Sequence, residues 1–373
     1  MYHSKQQSWH IEPPWGLLND PNGLIWYKGT YYAFFQWNRF ARDHSSKAWG
    51  FAVSPDLVHW QFRGSALLPD QPYDAQGVYS GSALELDGRL HLYYTGNVKQ
   101  AGRRISRQCL AVSEDGRYFR KFGPVLTTPA GYTEHFRDPK VVPAPQGGYA
   151  MVLGAQRQNV LGAVVLCTSP DGLHWSPGGA IGLSEEYQMM ECHDLFELDG
   201  APVLLYCPQH RDNTADATLD SFSVGRVLEQ WPDAARPLDL DTDWQRLDDG
   251  FDFYAPQTFR NRILQNERIL KQHRILPPAD TAGRRMRCCP MVSRKPQSVP
   301  INISSLNQIC TKGSLRFYHC LAARPVSWQP WGIRAASAVR GGSEDGFCLI
   351  SFVGTPPIPV CNKVSFSMVC SLG

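Results

Sequence analysis

The first 259 residues of this 373-residue chain repeat with a period of nearly sixty, and that period constrains the fold more than any other feature. "SPDLVHW" (54–60), "SEDGRYF" (113–119) and "SPDGLHW" (169–175) share a Ser-x-Asp start and an aromatic end, and lie 59 and 56 residues apart. A second element recurs in step with them. "LIWYKGTYYAFFQW" (24–37), "ALELDGRLHLYYTG" (83–96) and "LFELDGAPVLLYCP" (195–208) each read as strand, tight turn, strand, and "VVPAPQGGYAMVLGA" (141–155) fits the same slot. Their Lys-Gly, Asp-Gly and Gly-Gly pairs supply the positive φ of a tight hairpin turn. Such a repeat predicts an all-β chain folded as a β-propeller, four strands to a unit. "FDFYAPQTF" (251–259) opens a fifth unit, and five units fit between residue 10 and about residue 300. A β-sandwich would make the spacing a coincidence and gives no reason for chemistry to recur at one phase.

Chemistry does recur. Asp20, Ser80, Asp138 and Glu191 precede successive hairpins at spacings of 60, 58 and 53. In a propeller the innermost strands line a central channel, so equivalent positions at their starts converge on one end of it. Each acid has an ordinary alternative. "NDPNG" around Asp20 is turn chemistry, "RDP" around Asp138 suits a surface turn with a local ion pair, and a lone Glu before a strand is usually solvated. The shared phase favours a common pocket. Met189, Met190, Cys192 and Leu195 surround Glu191 with apolar groups, which should raise its pKa toward that of a general acid. Three carboxylates in one pocket repel, so one should stay protonated. One neutral and one ionised acid is the pattern of glycosidic bond cleavage. Trp26, Trp37, Trp49, Tyr79 and Tyr254 offer flat faces to a sugar or serve as core.

Residues 1–259 carry 21 Lys+Arg against 30 Asp+Glu, whereas residues 260–373 carry 16 against 4. The basic residues are scattered and form no stripe with aromatics, so no nucleic-acid partner is expected. Seven of the 11 cysteines lie after residue 259. Cys288 and Cys289 are adjacent and no paired C-x-x-C occurs, so the spacing builds no metal site; free thiols are expected. No run of 18 apolar residues suggests a membrane span. The start "MYHSKQQSWHIEPPW" lacks an apolar signal core, so a cytoplasmic location is expected.

"LLNDPNG", "FRDP" and "ECHD", in this order and spacing, resemble the three signatures of glycoside hydrolase family 32. "GVYSGSA" (77–83), "SPDLVHW" and "FDFYAPQTF" match further motifs, over residues 8–259 in all. The resemblance implies retaining hydrolysis of β-D-fructofuranosides, either sucrose 6-phosphate or sucrose. It casts Asp20 as nucleophile, Glu191 as acid/base and Asp138 as stabiliser of the transition state. It places Asn19, Gln36, Trp49, Ser80 and Arg137 along the fructose pocket and implies no metal or organic cofactor. The only partner it implies is the sugar. Lys47, Arg39 and Arg42 are candidates for a phosphate at the rim. The oligomeric state is not legible.

The chain departs from the family pattern in three places. The third signature usually reads Glu-Cys-Pro-Asp, and His193 replaces its proline. In "KAWGFAVS", Phe51 stands where a histidine is common. Nothing after Phe259 matches the end of the fifth blade or the family's usual C-terminal β-sandwich. The abrupt rise in Cys, Arg and Ser reads as translation out of frame from about residue 260. The expectation is therefore a five-bladed catalytic propeller over residues 1–275, its last blade incomplete after residue 259. Residues 276–373 are expected to be an atypical basic, cysteine-rich tail, poorly ordered, with the β-sandwich absent. The alternative to an enzyme is an inactive product, or a sugar-binding propeller without turnover.

Overall fold

The computed structural model describes residues 10–198, 200–211, 222–248 and 253–260, with strands at 316–319, 337–340, 348–353 and 365–370. After the short β1 (His10–Ile11), the repeat becomes a β-propeller arrangement of four blades. The first is β2 (Leu17–Tyr27), β3 (Thr30–Asn38), β4 (Ala48–Ser54) and β5 (Gln61–Leu67). The second is β6 (Val78–Leu86), β7 (Arg89–Gln100), β8 (Arg103–Ser113) and β9 (Arg120–Thr127). The third is β10 (Tyr132–Pro143), β11 (Tyr149–Arg157), β12 (Gly162–Ser169) and β13 (Ser176–Leu183). The fourth is β14 (Met189–Leu198), β15 (Ala201–Gln209) and β16 (Val224–Val227); β17 (Leu238–Asp239) then crosses to pair in parallel with β13 before β18 (Gln245–Arg246) completes the fourth.

The turn chemistry behaves as the sequence predicts. Lys28-Gly29, Asp87-Gly88 and Gly147-Gly148 all take positive φ between paired strands. Each Ser-x-Asp motif folds the link from third to fourth strand as an Asx turn. Asp56 accepts the backbone N–H of Val58 and His59, Asp115 those of Arg117 and Tyr118, and Asp171 those of Leu173 and His174.

Blades face one another across apolar interfaces. β3 is buried from Tyr31 to Asn38 and β11 from Ala150 to Gln156, whereas the outer β9 mixes buried and exposed residues. Phe34, Trp49, Phe51 and Tyr94 pack between the first two blades, Tyr93, Phe136, Met151 and Trp175 between the next two, and Val152, Met190, Leu204 and Tyr206 between the last two. Buried hydroxyls stitch the joints. Tyr27 donates to the Gly88 and Glu114 carbonyls, and Tyr93 to that of Gly172.

A further sheet runs β1–β23–β22–β19, with β19 (Phe253–Thr258), β22 (Cys348–Val353) and β23 (Ser365–Cys370). β20 (Arg316–His319) and β21 (Ser337–Arg340) form a separate ribbon. β19 lies between β14 and β2. Thr258 donates to Asp194 of β14, and Arg260 exchanges backbone hydrogen bonds with Leu24 and Trp26 of β2. Tail segments 348–353 and 365–370 extend the sheet of β19. Apart from these four strands, the basic, cysteine-rich tail, Cys288 and Cys289 included, lies outside the described residues. Cys109, Cys167, Cys192 and Cys207 are free and buried. Among the described residues no helix is long and apolar enough to cross a membrane.

Candidate active site

The inner strands share one local defect. Register shifts interrupt β2 between Leu18 and Pro21, β6 between Tyr79 and Gly81, β10 between Arg137 and Lys140, β14 between Glu191 and Asp194, and β19 between Tyr254 and Gln257. A bulge adds a residue to one strand and re-aims side chains at that point. Asp20, Ser80, Asp138, Glu191 and Tyr254 all sit at or beside these bulges. The backbone bends into the left-handed region at Asp138 (φ 63°), Cys192 (φ 51°) and Ala255 (φ 54°), a conformation such residues rarely adopt without surrounding constraint. In β6 the residue after Ser80 is glycine for a steric reason: a Cβ on Gly81 would fall 2.0 Å from the Tyr93 carbonyl oxygen.

A file of hydrogen bonds leads to Asp20. Lys47 Nζ donates to Asn19 Oδ1 (2.7 Å), Asn19 Nδ2 to Gln36 Oε1 (2.8 Å), Gln36 Nε2 to Ser80 Oγ (2.6 Å), and Ser80 Oγ to Asp20 Oδ2 (2.6 Å). Ammonium at one end and carboxylate at the other fix the direction of every bond between them. Burial pushes Lys47 down to about 8 against the attraction of Asp20 and Glu191, and His44 Nδ1 lies 2.6 Å from its Nζ.

Glu191 is held at both oxygens. Arg137 donates from Nη2 (2.6 Å) and Nε (3.2 Å) to Oε1, and the Tyr254 hydroxyl donates to Oε2 (2.6 Å). Asp138 Oδ2 accepts the Cys192 N–H at 3.1 Å, and the Asp138 N–H donates to Thr95 Oγ1. These contacts overturn the expected electrostatics. Burial alone would raise Glu191, but Arg137 and the Tyr254 hydroxyl bring it below the usual carboxylate range. The raised carboxyl is Asp138. Burial, then repulsion from Glu191 and Asp20, pushes it up to about 7 despite Arg137. The apolar neighbours of Glu191 misled the sequence reading because Arg137 comes from another strand, 54 positions away.

The pocket thus brings together Asn19, Asp20, Gln36, Ser80, Arg137, Asp138 and Glu191. Trp49 stands apart: it is fully buried, packs on Phe34 and Tyr94, and donates from Nε1 to the Tyr79 carbonyl. Lys47 belongs to the hydrogen-bond file, whereas Arg39 and Arg42 stack on Phe40 and Trp15. Sequence reasoning missed the Tyr254 hydroxyl as a partner of Glu191, although the fifth appearance of the repeat phase marked the residue. The aspartate of "ECHD" lies behind the pocket, where Asp194 pairs with Lys140 at 2.7 Å and accepts from Thr258 Oγ1 at 2.8 Å.

Below the carboxylates a small cavity is lined by Asn22, Ser80, Asp138, Cys192, His193 and Gln257, among others. His193 is 1% exposed, and neither ring nitrogen has a hydrogen-bond partner among the described residues. Burial pushes it down to about 3, so the imidazole is neutral. Pro139 and Pro256 follow Asp138 and Ala255 just as His193 follows Cys192, so the bulge geometry already accommodates proline at this phase.

The model of the glycosyl hydrolases family 32 N-terminal domain matches residues 10–272. The sucrose-6-phosphate hydrolase of Bacillus subtilis is 43% identical over 286 residues, 74% of this chain and 58% of that protein. That of Klebsiella pneumoniae is 44% identical over 264 residues, 69% of this chain and 56% of that protein. The chain thus spans just over half the length of these curated relatives. Among solved structures, the sucrose-6-phosphate hydrolase of Lactobacillus gasseri superposes with a TM-score of 0.62 at 37% identity, over 68% of this chain and 53% of that one. A family 32 β-fructofuranosidase of Bombyx mori gives 0.59 at 32% identity, over 68% and 55%, and a mutant of it has been solved in complex with sucrose.

Proposed function

The chain belongs to glycosyl hydrolases family 32, and from that membership we propose that it hydrolyses β-D-fructofuranosides, sucrose 6-phosphate or sucrose, with retention of configuration. The observation that carries this reading is the convergence of Asp20, Asp138 and Glu191, each at an inner-strand bulge, close enough that Asp20 and Glu191 both act on the charge of Asp138.

Asp20 is the nucleophile. Its Oδ2 accepts the Ser80 hydroxyl, leaving Oδ1 to attack the anomeric C2 of fructose. As that bond forms, the C2–O bond breaks and the glucosyl oxygen takes a proton from Glu191. Water then gives a proton back to Glu191 and attacks C2, and Asp20 leaves. The cycle needs one proton on the three carboxyls. It rests on Asp138 in the free pocket and passes to the departing oxygen through Glu191 as that oxygen develops charge. Asp138 then ionises beside the oxocarbenium-like centre and stabilises it. Asn19, Gln36 and Arg137 present their remaining donors and acceptors to fructose hydroxyls. Trp49 supports the wall by fixing the Tyr79 carbonyl.

The sheet containing β19 is the fifth blade in this reading, supported by its bulge at the shared phase and its position between β14 and β2. Residues 10–260 supply all of the proposed catalytic side chains, and the enzyme works in the cytoplasm on a soluble sugar. The test is hexose release from sucrose and from sucrose 6-phosphate by the 373-residue chain, with Asp20→Asn as control. Release that falls about a thousandfold or more in the control is expected. A folded chain releasing no hexose from either sugar would replace the hydrolase with a sugar-binding propeller.

A further inference from the structure

Most cations around the pocket are already engaged. Arg137 grips Glu191, Lys47 donates to Asn19, and Arg39 and Arg42 lie over the rings of Phe40 and Trp15 at 4.7 and 4.6 Å. Arg104 differs. It stands on the β7–β8 hairpin, opposite Lys99 in register, with Arg103 beside it on the exposed tip. Its guanidinium lies 5.6 Å above the ring of Tyr79, the residue before Ser80. It is half-buried, and among the described residues no carboxylate pairs with it. Two turns of pairing further along β8, Ser106 binds Glu134 of β10 through its N–H and its hydroxyl, which fixes the hairpin against the strand that carries Arg137 and Asp138.

The surroundings are unfavourable to a lone cation. Burial and then the like charge of Arg137 push Arg104 down, offset in part by Tyr79, Glu191 and Asp138. A guanidinium kept partly out of water, beside a second cation and over a ring, gains most from a planar or tetrahedral oxyanion that accepts two hydrogen bonds. A phosphate monoester offers close to two negative charges and three acceptor oxygens. Lys99, opposite Arg104 in register and on the same face, adds charge without needing desolvation. Because Tyr79 adjoins Ser80 and Ser106 bonds the strand of Arg137 and Asp138, the hairpin borders the pocket.

We propose that Arg104, assisted by Lys99, binds the phosphate of a phosphorylated fructoside at the pocket mouth and makes that sugar the preferred ligand over its unphosphorylated counterpart. This rests on the fructosidase reading of the pocket. Lys47, Arg39 and Arg42, the candidates legible in the sequence, are not required by it.

The test is equilibrium binding of sucrose 6-phosphate and sucrose to Asp20→Asn and to the double variant Asp20→Asn/Arg104→Gln, with turnover by the unaltered chain measured alongside. A charge-assisted bidentate contact predicts that Asp20→Asn binds the phosphorylated sugar about tenfold or more tightly than sucrose. Arg104→Gln should remove most of that ratio and Arg104→Lys should keep part of it. The ratio is taken on one preparation, so partial misfolding of a variant cancels. Equal binding of both sugars, a preference that survives Arg104→Gln, or no binding of either sugar overturns the proposal. No turnover by the unaltered chain, with the preference intact and sensitive to Arg104, overturns the hydrolase reading alone.

Discussion

Lys47 and Asp20 stand at opposite ends of one directed file of hydrogen bonds, running through Asn19, Gln36 and Ser80 with every donor–acceptor distance between 2.6 and 2.8 Å. The ammonium holds Asn19 in one orientation, and each amide then fixes the next. Lys47→Met should lower kcat about tenfold, as should Ser80→Ala, through loss of a charge-linked contact. The two losses should not add, because each breaks the same file. Steady-state kcat for both single variants and the double one checks this; additive losses would mean that Lys47 acts locally.

The pH profile of kcat/KM should follow the shared proton. Asp138 is pushed up to about 7, and the active form holds one proton on the three carboxyls. Activity should therefore fall as pH rises through about 7, a property of the trio rather than of one residue. Tyr254→Phe removes the hydroxyl bound to Glu191 Oε2. That loss disfavours ionised Glu191, so the basic limb should move to higher pH. Rates from pH 5 to pH 9, covering both sides of about 7, measure the limb; an unmoved or lowered limb counts against the assignment.

Stability should carry the imprint of His193. Its folded-state pKa lies near 3, below the unfolded value of about 6.5. Between those values the unfolded chain binds a proton that the folded one refuses, so stability is lost as pH falls below about 6.5. The loss approaches about 2 kcal/mol at pH 5 for this one group. Asp138 contributes the opposite slope over part of this range, so comparison with a variant isolates the histidine. His193→Pro, compatible with the bulge phase of Pro139 and Pro256, should flatten the fall. Melting temperature of both chains from pH 7 to pH 5 decides it, given the expected loss of about 2 kcal/mol.

Asp194 ties β19 to β14. It accepts from Thr258 Oγ1 and pairs with Lys140 Nζ, itself nearly buried. Asp194→Ala should cost about 3–5 kcal/mol, because it leaves Lys140 buried without its counter-charge. Removing both partners, as in Asp194→Asn/Lys140→Met, should cost less than the single change. Chemical denaturation of the three chains measures the difference.

Much of the ring was legible because it is written locally. Asp87-Gly88 and the Asx turns at Asp56, Asp115 and Asp171 need only neighbours a few residues away, and they set the phase that gathers Asp20, Asp138 and Glu191. What the sequence concealed depends on distant partners. Arg137 and Tyr254 reverse the expected direction at Glu191 from 54 and 63 positions away. Trp49 looks like a sugar platform by type, yet its indole is enclosed between two blades by Phe34 and Tyr94. The strands that extend the sheet of β19 lie some ninety residues beyond it, at Cys348–Val353 and Ser365–Cys370, and carry no repeat phase to announce them.

The backbone exchange between Arg260 and the pair Leu24 and Trp26 also sets a schedule. Asp20 leaves the ribosome early, but Arg260, which closes the strand that bonds Glu191 onto β2, follows 240 residues after it. At translation rates of about 5–20 residues per second, the first blade waits roughly 12–48 seconds for its neighbour. During that interval its inner face is exposed to chaperones and to other nascent chains, so the carboxylate pocket is among the last parts of the propeller to mature.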